Sequence, residues 1–574
     1  MARAVREQGF FAGEPVGSGD CASCHAEIAA QWAQSAHRFA SLNNPYYTAS
    51  LEQLRRERGT AAARFCAGCH DPLLLVDDAI VQPELPRQAV AAQAGLPCLV
   101  CHSIKECQGT LGNGAYTLVA SAVPPPAEQA TAGTPSPHGQ RLRAPVLKTA
   151  ELCATCHKVG LLPEVTQAQW LRGQNDYDAW QQSLAAGNGV AAIYRPQTVE
   201  VKRCQDCHMP LVKLRSGQLV RSHRFLAANT AVAALRNDTE TVERTREFLR
   251  GAVSLDLAVL PRPAGAQEPL PNLDAQVSVQ RGEPLRFDVV LRNRRVGHRF
   301  PGGTNDSNEV WLEVEVQAAG GGAVLRDATH RVRAQAVDDS GVPLQRRDPQ
   351  RMRGVVYDTS VAPADPQVVR YKVELSALPA TATATELVLR ATLRYRKFSP
   401  DYTRFACAEL PASAEPSTRQ RCLEPPVVEI ASAERRLLLT ARPATSVRGP
   451  GGSGPASAQG AAEPLWQRYL DHGLGLADGL VEKASEARPS LEQAAALAPE
   501  RPEPLLGLAR LALALGRTDE VLALCERARG LRRDHPAALW LPALALYRTY
   551  RFAEARPYVE QLATRLPTDR SVLT

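Results

Sequence analysis

Five times before residue 209 the chain writes Cys-x-x-Cys-His: Cys21-Cys24-His25, Cys66-Cys69-His70, Cys98-Cys101-His102, Cys153-Cys156-His157 and Cys204-Cys207-His208. This spacing is the attachment signature of c-type haem. Cysteines at i and i+3 share one face of a helical turn, so both thiols reach the two vinyl groups of one porphyrin. The histidine at i+4 falls on that face and offers its nitrogen to iron. A zinc ribbon also uses paired Cys-x-x-Cys, but nothing in it requires a histidine after every second cysteine. The pattern predicts five covalent haem c groups with His25, His70, His102, His157 and His208 as proximal ligands, and a chemistry of electrons.

The opposite side of each iron decides function. Methionine cannot serve generally: the chain has only Met1, Met209 and Met352. Histidine remains, and seven lie outside the motifs: His37, His138, His223, His298, His330, His472 and His535. Three share a local word: His37-Arg38-Phe39, His223-Arg224-Phe225 and His298-Arg299-Phe300. In that word the histidine binds iron, the arginine forks onto a haem propionate and the phenyl ring packs on a porphyrin face. His138 follows a Pro/Ser-rich loop and is a fourth distal candidate; His330 is a fifth. His472 and His535 read as solvated histidines at helix ends. If His330 serves, all five irons are six-coordinate and only pass electrons. If it does not, one iron keeps an open position. The loop at 301–309 follows His298; its acids suit calcium, and a hydrogen-bonded turn is the other reading. If His298 is a ligand, this loop docks the second domain onto the first.

The rest of the chain must position these groups. At 574 residues, length alone suggests roughly three or four domains. Only 5% of residues are aromatic, so porphyrins are expected to form much of the first core. Residues 1–251 hold every motif, among turn-rich segments such as Pro124-Pro125-Pro126 and 133–137, and end in an expected helix over 238–250. Over 252–446 the apolar period becomes two, as in Val310-Trp311-Leu312-Glu313-Val314-Glu315-Val316, which predicts an antiparallel, immunoglobulin-like β-sandwich. Residues 447–464 are a Gly/Pro/Ser-rich linker. Over 465–574, consecutive 34-residue blocks at 502–535 and 536–569, with a weaker copy before them, predict α-helical tetratricopeptide repeats, and the expectation is that the native protein carries more of them.

Net charge is +7, from 67 basic and 60 acidic residues, too mild a bias to indicate nucleic acid. Four cysteines are left over by the motifs. Cys407 and Cys422 share one loop-rich stretch and are a candidate disulfide; Cys525 reads as a buried small apolar residue on a helix. Covalent haem attachment takes place outside the cytoplasmic membrane, so the expected location is periplasmic or extracellular. No run of 18 apolar residues exists, so no spanning helix is predicted, and association with a membrane complex stays open. Met1 to Phe10 lacks an apolar leader core; the expectation is a leader cut off, replaced or encoded upstream.

Residues 21–47, with Gln31-Trp32 and Ser35-Ala36-His37, resemble the opening of multihaem cytochromes similar to the tetrahaem acceptor of hydroxylamine oxidoreductase. Cys204 to Pro210 followed by Ser222-His223-Arg224-Phe225 is similar to their last haem and its distal ligand. Gly297-His298-Arg299-Phe300-Pro301-Gly302-Gly303 with Asn308-Glu309-Val310-Trp311 resembles the sandwich of larger members, and Leu393 to Phe398 followed by repeats completes the likeness. The resemblance implies an exported electron carrier, with the repeats holding redox partner proteins. It carries no substrate. Pentahaem nitrite reductases, similar in haem count, replace one proximal histidine by lysine, and no motif here does. Two alternatives stand beside the carrier: an oxidoreductase acting on a small nitrogen or sulfur compound at one open haem, and an electron-passing subunit scaffolded in a larger assembly. In the last reading the tail is separable from the haem region.

Overall fold

A computed structural model describes residues 3–6, 18–120, 137–261, 269–273, 277–304, 307–319, 324–377, 384–441, 463–479, 484 and 486–573. Each attachment motif ends a short helix or immediately follows its last turn: Ser18–Cys24, Ala63–His70, Cys98–His102, Ala150–His157 and Cys204–His208. Between them runs the helix Pro45–Arg58. Its start is fixed by Pro45 in the first turn and by the Asn44 side chain, which accepts from the Tyr46 N–H at 3.1 Å. Gly59, at φ +83°, ends it. The expected closing helix is present as Thr239–Leu249, with Asp238 accepting from the Thr241 N–H at 3.0 Å. Strands were not expected here: Ile104–Cys107, Tyr116–Ala120 and Arg3–Arg6 form a three-stranded sheet, and Lys158–Leu161 with Leu171–Asn175 and Leu211–Lys213 with Leu219–Arg221 form two hairpins. The turn-rich segments at 124–126 and 133–136 lie outside the described residues, as does most of the 447–464 linker.

Alternating sequence gives two facing sheets. Val253–Leu260, Pro284–Asn293 and Pro366–Glu374 make one, with Pro284–Asn293 central. The other runs, in order, Val324–Asp327, Glu309–Ala318, Glu386–Arg396, Val427–Thr440 and Val277–Gln280. Val310, Leu312, Val314 and Val316 on one sheet and Leu285, Phe287, Val289 and Leu291 on the other share one buried core. Two departures from the expectation stand out. Val277–Gln280 pairs parallel to Val427–Thr440, so the sandwich is not wholly antiparallel. The stretch read as loop-rich holds two helices, Pro400–Cys407 and Pro416–Leu423, joined by a Cys407–Cys422 disulfide with Cα atoms 5.9 Å apart. These helices pack on the haem-motif region, where the Tyr46 hydroxyl donates to the Cys422 carbonyl at 2.8 Å.

Among the described residues the tail is three helix pairs, Leu465–Ala477 with Arg488–Leu497, Pro502–Ala514 with Thr518–Leu531, and Ala537–Arg548 with Phe552–Arg565, and a short last helix, Arg570–Leu573. Cys525 is buried on the fourth of these helices, as expected. His472 and His535 correct the reading of solvated histidines: they are 1% and 0% exposed. The His472 Nε2 meets the Asp288 Oδ2 at 2.8 Å, and its Nδ1 meets the Ser490 hydroxyl at 2.9 Å. Asp288 is fully buried on the central sandwich strand and also receives a forked pair from Arg370 at 2.8 and 2.9 Å. Arg292 reaches Asp471 at 2.8 Å and Arg468 reaches Asp256 at 2.7 Å. The tail is thus bolted to the sandwich by buried charge. Among the described residues no helix is long and apolar enough to cross a membrane.

Burial pushes the Asp288 carboxyl up, but hydrogen bonds and charge from Arg370 and His472 outweigh it and hold it below the usual range. A depressed carboxylate stabilises the fold above its unfolded value of about 3.9, and that stability is lost as pH falls through the lower folded value. Asp288→Ala is expected to lower stability by about 3–5 kcal/mol at neutral pH, because it removes the buried partner of His472 and the forked pair of Arg370, which keeps only Glu486. Thermal unfolding checks this, and the difference from wild type should shrink as the pH is lowered below about 4.

Candidate metal centres

Four of the five motif histidines face a second histidine from outside the motifs. Ring centroids lie 6.5 Å apart for His25 and His138, 6.4 Å for His102 and His223, 6.3 Å for His157 and His37, and 6.3 Å for His208 and His298. Two metal–imidazole bonds of about 2 Å each, plus a ring radius of about 1 Å on either side, sum to about 6 Å. The recurring separation is therefore the one an iron held between two imidazoles requires. Three pairs have ring planes within 20° of parallel, and His37 crosses His157 at 67°.

The Nδ1 of four of these eight histidines meets a backbone carbonyl. The Nδ1 of His102 lies 2.8 Å from the Leu142 carbonyl, that of His208 2.7 Å from Leu226, that of His223 2.9 Å from Arg221, and that of His298 2.9 Å from Arg299. A carbonyl can only accept, so each Nδ1 carries the proton and leaves Nε2 as a bare lone pair, the form that binds metal. Burial also disfavours the charged ring: His37 is pushed down to about 3, by burial first and then by His157 and other histidines around it. His102, His157, His208 and His223 are lowered for the same first reason.

His70 is the exception. Its Nδ1 lies 2.8 Å from the Ala40 carbonyl, as in the others. Its ring neighbour, however, is Tyr47, stacked at 4.4 Å and 14°, too close for an atom to sit between them. His330 is not brought to it. That residue lies on the sandwich, its carbonyl accepting from the Leu312 N–H at 3.1 Å, and it faces no motif histidine among the described residues. What the sandwich sends toward motif two is Arg347, whose charge adds to burial in lowering His70.

The second and third residues of the His-Arg-Phe words do not behave alike. Arg38 donates to the Gln93 carbonyl at 2.6 Å; Arg224 is held by Gln34 and, at 3.6 Å, by Glu240; Arg299 donates to the Ser360 carbonyl at 3.1 Å. All three arginines therefore already have protein partners. Phe225 lies 4.4 Å from His37 and 5.7 Å from His223, between two distal candidates. Phe39 stacks under Arg236 at 3.7 Å, and Phe300 is buried in the sandwich core while reaching the cavity wall. In the 301–309 loop the Gly303 N–H donates to Asp176 at 3.0 Å and the Ser307 N–H to the Thr304 carbonyl at 2.9 Å, so its described part is a turn docked on the motif region. Residues 305 and 306 lie outside the described residues, and among those described no cluster of metal-binding acids occurs.

A cavity of about 1150 Å³, lined mostly by apolar atoms, joins motifs two, four and five. His37 and His298 line it as well. The motifs touch in an order sequence could not give. The helix of motif four packs on the helices of motifs two and five, and that of motif one on that of motif three. Cys69 sits against Cys156, Cys153 against Cys204, and Cys101 near Cys156. Motif four is the junction. The donor set fits haem c: paired thiols and a neutral imidazole on one wall, a second imidazole opposite, and an apolar space wide enough for flat rings.

Residues 20–103, which include the first three motifs, match the family Cytochrome c554 and c-prime, and residues 481–543 match the tetratricopeptide repeat. No curated protein matches the chain. Among solved structures, a penta-heme cytochrome c552 from Thermochromatium tepidum is similar at 20% identity and a TM-score of 0.46, over 74% of this chain and 99% of that one. Motifs and family matches together support a multihaem c-type cytochrome with a helical repeat tail.

Replacing His298 with alanine should convert one haem equivalent from low to high spin, while His330→Ala should change none. Visible absorption and electron paramagnetic resonance of the two variants read this directly.

Proposed function

We propose that the protein is an exported pentahaem electron carrier in which four irons are capped by histidine pairs. The observation that carries this reading is the repeated 6.3–6.5 Å separation of four motif histidines from four others. Haem supplies reversible one-electron chemistry; the chain's part is to hold the rings close, dry and in order. With haem bound, the contacts of motif one with three, three with four, and four with two and five would let electrons move among all five groups, with motif four at the branch. A histidine on each side of an iron would leave it no position for substrate, which suits transfer rather than catalysis. Partner docking through the repeats belongs to the same reading; Tyr547, Tyr550 and Phe552, exposed together on the last helix pair, are surface it leaves available.

A second reading is favoured by one observation. Among the described residues His70 has no histidine across from it, and Arg347 lines the same cavity. Motif two is then an open haem beside a cation, suited to a small nitrogen or sulfur compound. Here Tyr47 walls one flank of His70 and Ala40 fixes its tautomer.

Pyridine haemochrome should count five haems per chain, and carbon monoxide should titrate the reduced protein at one equivalent per chain. Uptake of none would remove the open haem and leave a pure carrier; uptake of two or more would remove the histidine-pair reading.

A further inference from the structure

The stretch between motifs four and five contains a segment, residues 187–196, with no helix or strand. Beside a few bonds within the segment itself, its polar groups meet the tail. Asp569, fully buried, accepts from the Gly189 and Val190 N–H groups, both at 3.0 Å. The His535 Nε2 lies 3.1 Å from the Ile193 carbonyl, and Arg532 donates to the Arg195 carbonyl at 2.5 Å. The Tyr194 hydroxyl donates to Asp471 at 2.6 Å, with the Arg292 guanidinium 4.1 Å over its ring. Apolar contact runs alongside. Val190 shares a buried cluster with Leu539, Leu562 and Leu566, and Ile193 joins the main core of the tail. The last turn goes further into the motif region: Arg570 pairs at 2.8 Å with Asp178, which Lys158, next to His157, meets at 2.7 Å.

An irregular segment whose amides, carbonyls and side chains are read in succession by a helical repeat is bound the way an extended peptide is bound. We propose that residues 187–196 are a built-in ligand of the repeat tail, and that this clamp, anchored at Asp569, fixes the loop leading into motif five and with it the geometry of that haem. The second half rests on the pentahaem reading; the first does not. The tail is then not a separable docking arm. The surface it turns to the motif region is filled by its own chain, and partners are left with the opposite side.

The test is hydrogen exchange by mass spectrometry on the full-length holoprotein, wild type and Asp569→Ala, with haem counted on the same samples. In wild type the 188–194 amides should be protected despite lacking secondary structure; exchange as fast as a free loop overturns the clamp and needs no variant. In Asp569→Ala the Gly189 and Val190 amides should exchange roughly tenfold faster or more, while the sheet amides of Pro284–Asn293 stay unchanged. One low-spin haem signal should shift, and Asp569→Asn, which keeps an acceptor oxygen, should restore much of both effects. Unchanged amides in Asp569→Ala overturn the anchor. Freed amides with every haem signal unmoved overturn the hold on haem geometry. Fewer than five haems with protected amides overturns the pentahaem reading and supports the clamp.

Discussion

On the proposed reading an iron between two imidazoles needs its ligands on opposite sides at one fixed separation, and the rest of that reading depends on the four histidine pairs that meet this constraint. Cys-x-x-Cys-His is local and fixes one ligand by itself. The second must be delivered from elsewhere, and the deliveries here are long. His37 comes to motif four, His223 to motif three and His298, from the sandwich, to motif five. A loop that carries a ligand cannot drift by an ångström without losing the bond, so each of these histidines is tied by backbone. His37 accepts the Leu96 N–H on its carbonyl at 2.8 Å, and the His223 N–H donates to Gln31 at 2.9 Å.

That requirement explains why the sandwich and tail are not appendages. His298 sits on a loop whose neighbours, Asn293 and Gly303, are held respectively by the sandwich and by Asp176 of the motif region. The sandwich in turn is pinned to the tail through Asp288, and the tail returns to the motif region at Asp569 and Arg570. The three parts close a ring of contacts around the cavity. Burying Asp288, Arg370 and His472 together costs desolvation that is tolerable only because each is fully partnered. Such a junction favours one arrangement over many.

Much of this was legible in the sequence where the physics is local. Attachment motifs, the switch to a two-residue period and the 34-residue repeat all translated into the elements they predict. The shared His-Arg-Phe word singled out three histidines that do face motif histidines, and His138 joined them. What stayed hidden depends on distant partners. His472 and His535 look solvated because nothing in their own stretches of sequence supplies a partner; they are buried against Asp288 and Ile193, far away in the chain. His330 shares the following arginine but not the phenylalanine, and its backbone is tied to the sandwich at Leu312. The helices at 400–407 and 416–423 are only eight residues each, too short for their pattern to stand out from a loop, and pack against Tyr46 with their disulfide. The order of the motifs in space, with the fourth at the junction, has no signature in a linear pattern.

The central claim is that four irons are closed by histidine pairs and the fifth, at motif two, is not. Low-temperature electron paramagnetic resonance of the oxidised holoprotein, integrated against total haem, tests it most directly. The account predicts four low-spin equivalents and one high-spin equivalent per chain, the latter lost when Cys66 and Cys69, which would attach that haem, are both replaced. Five low-spin equivalents, or more than one high-spin, would contradict it.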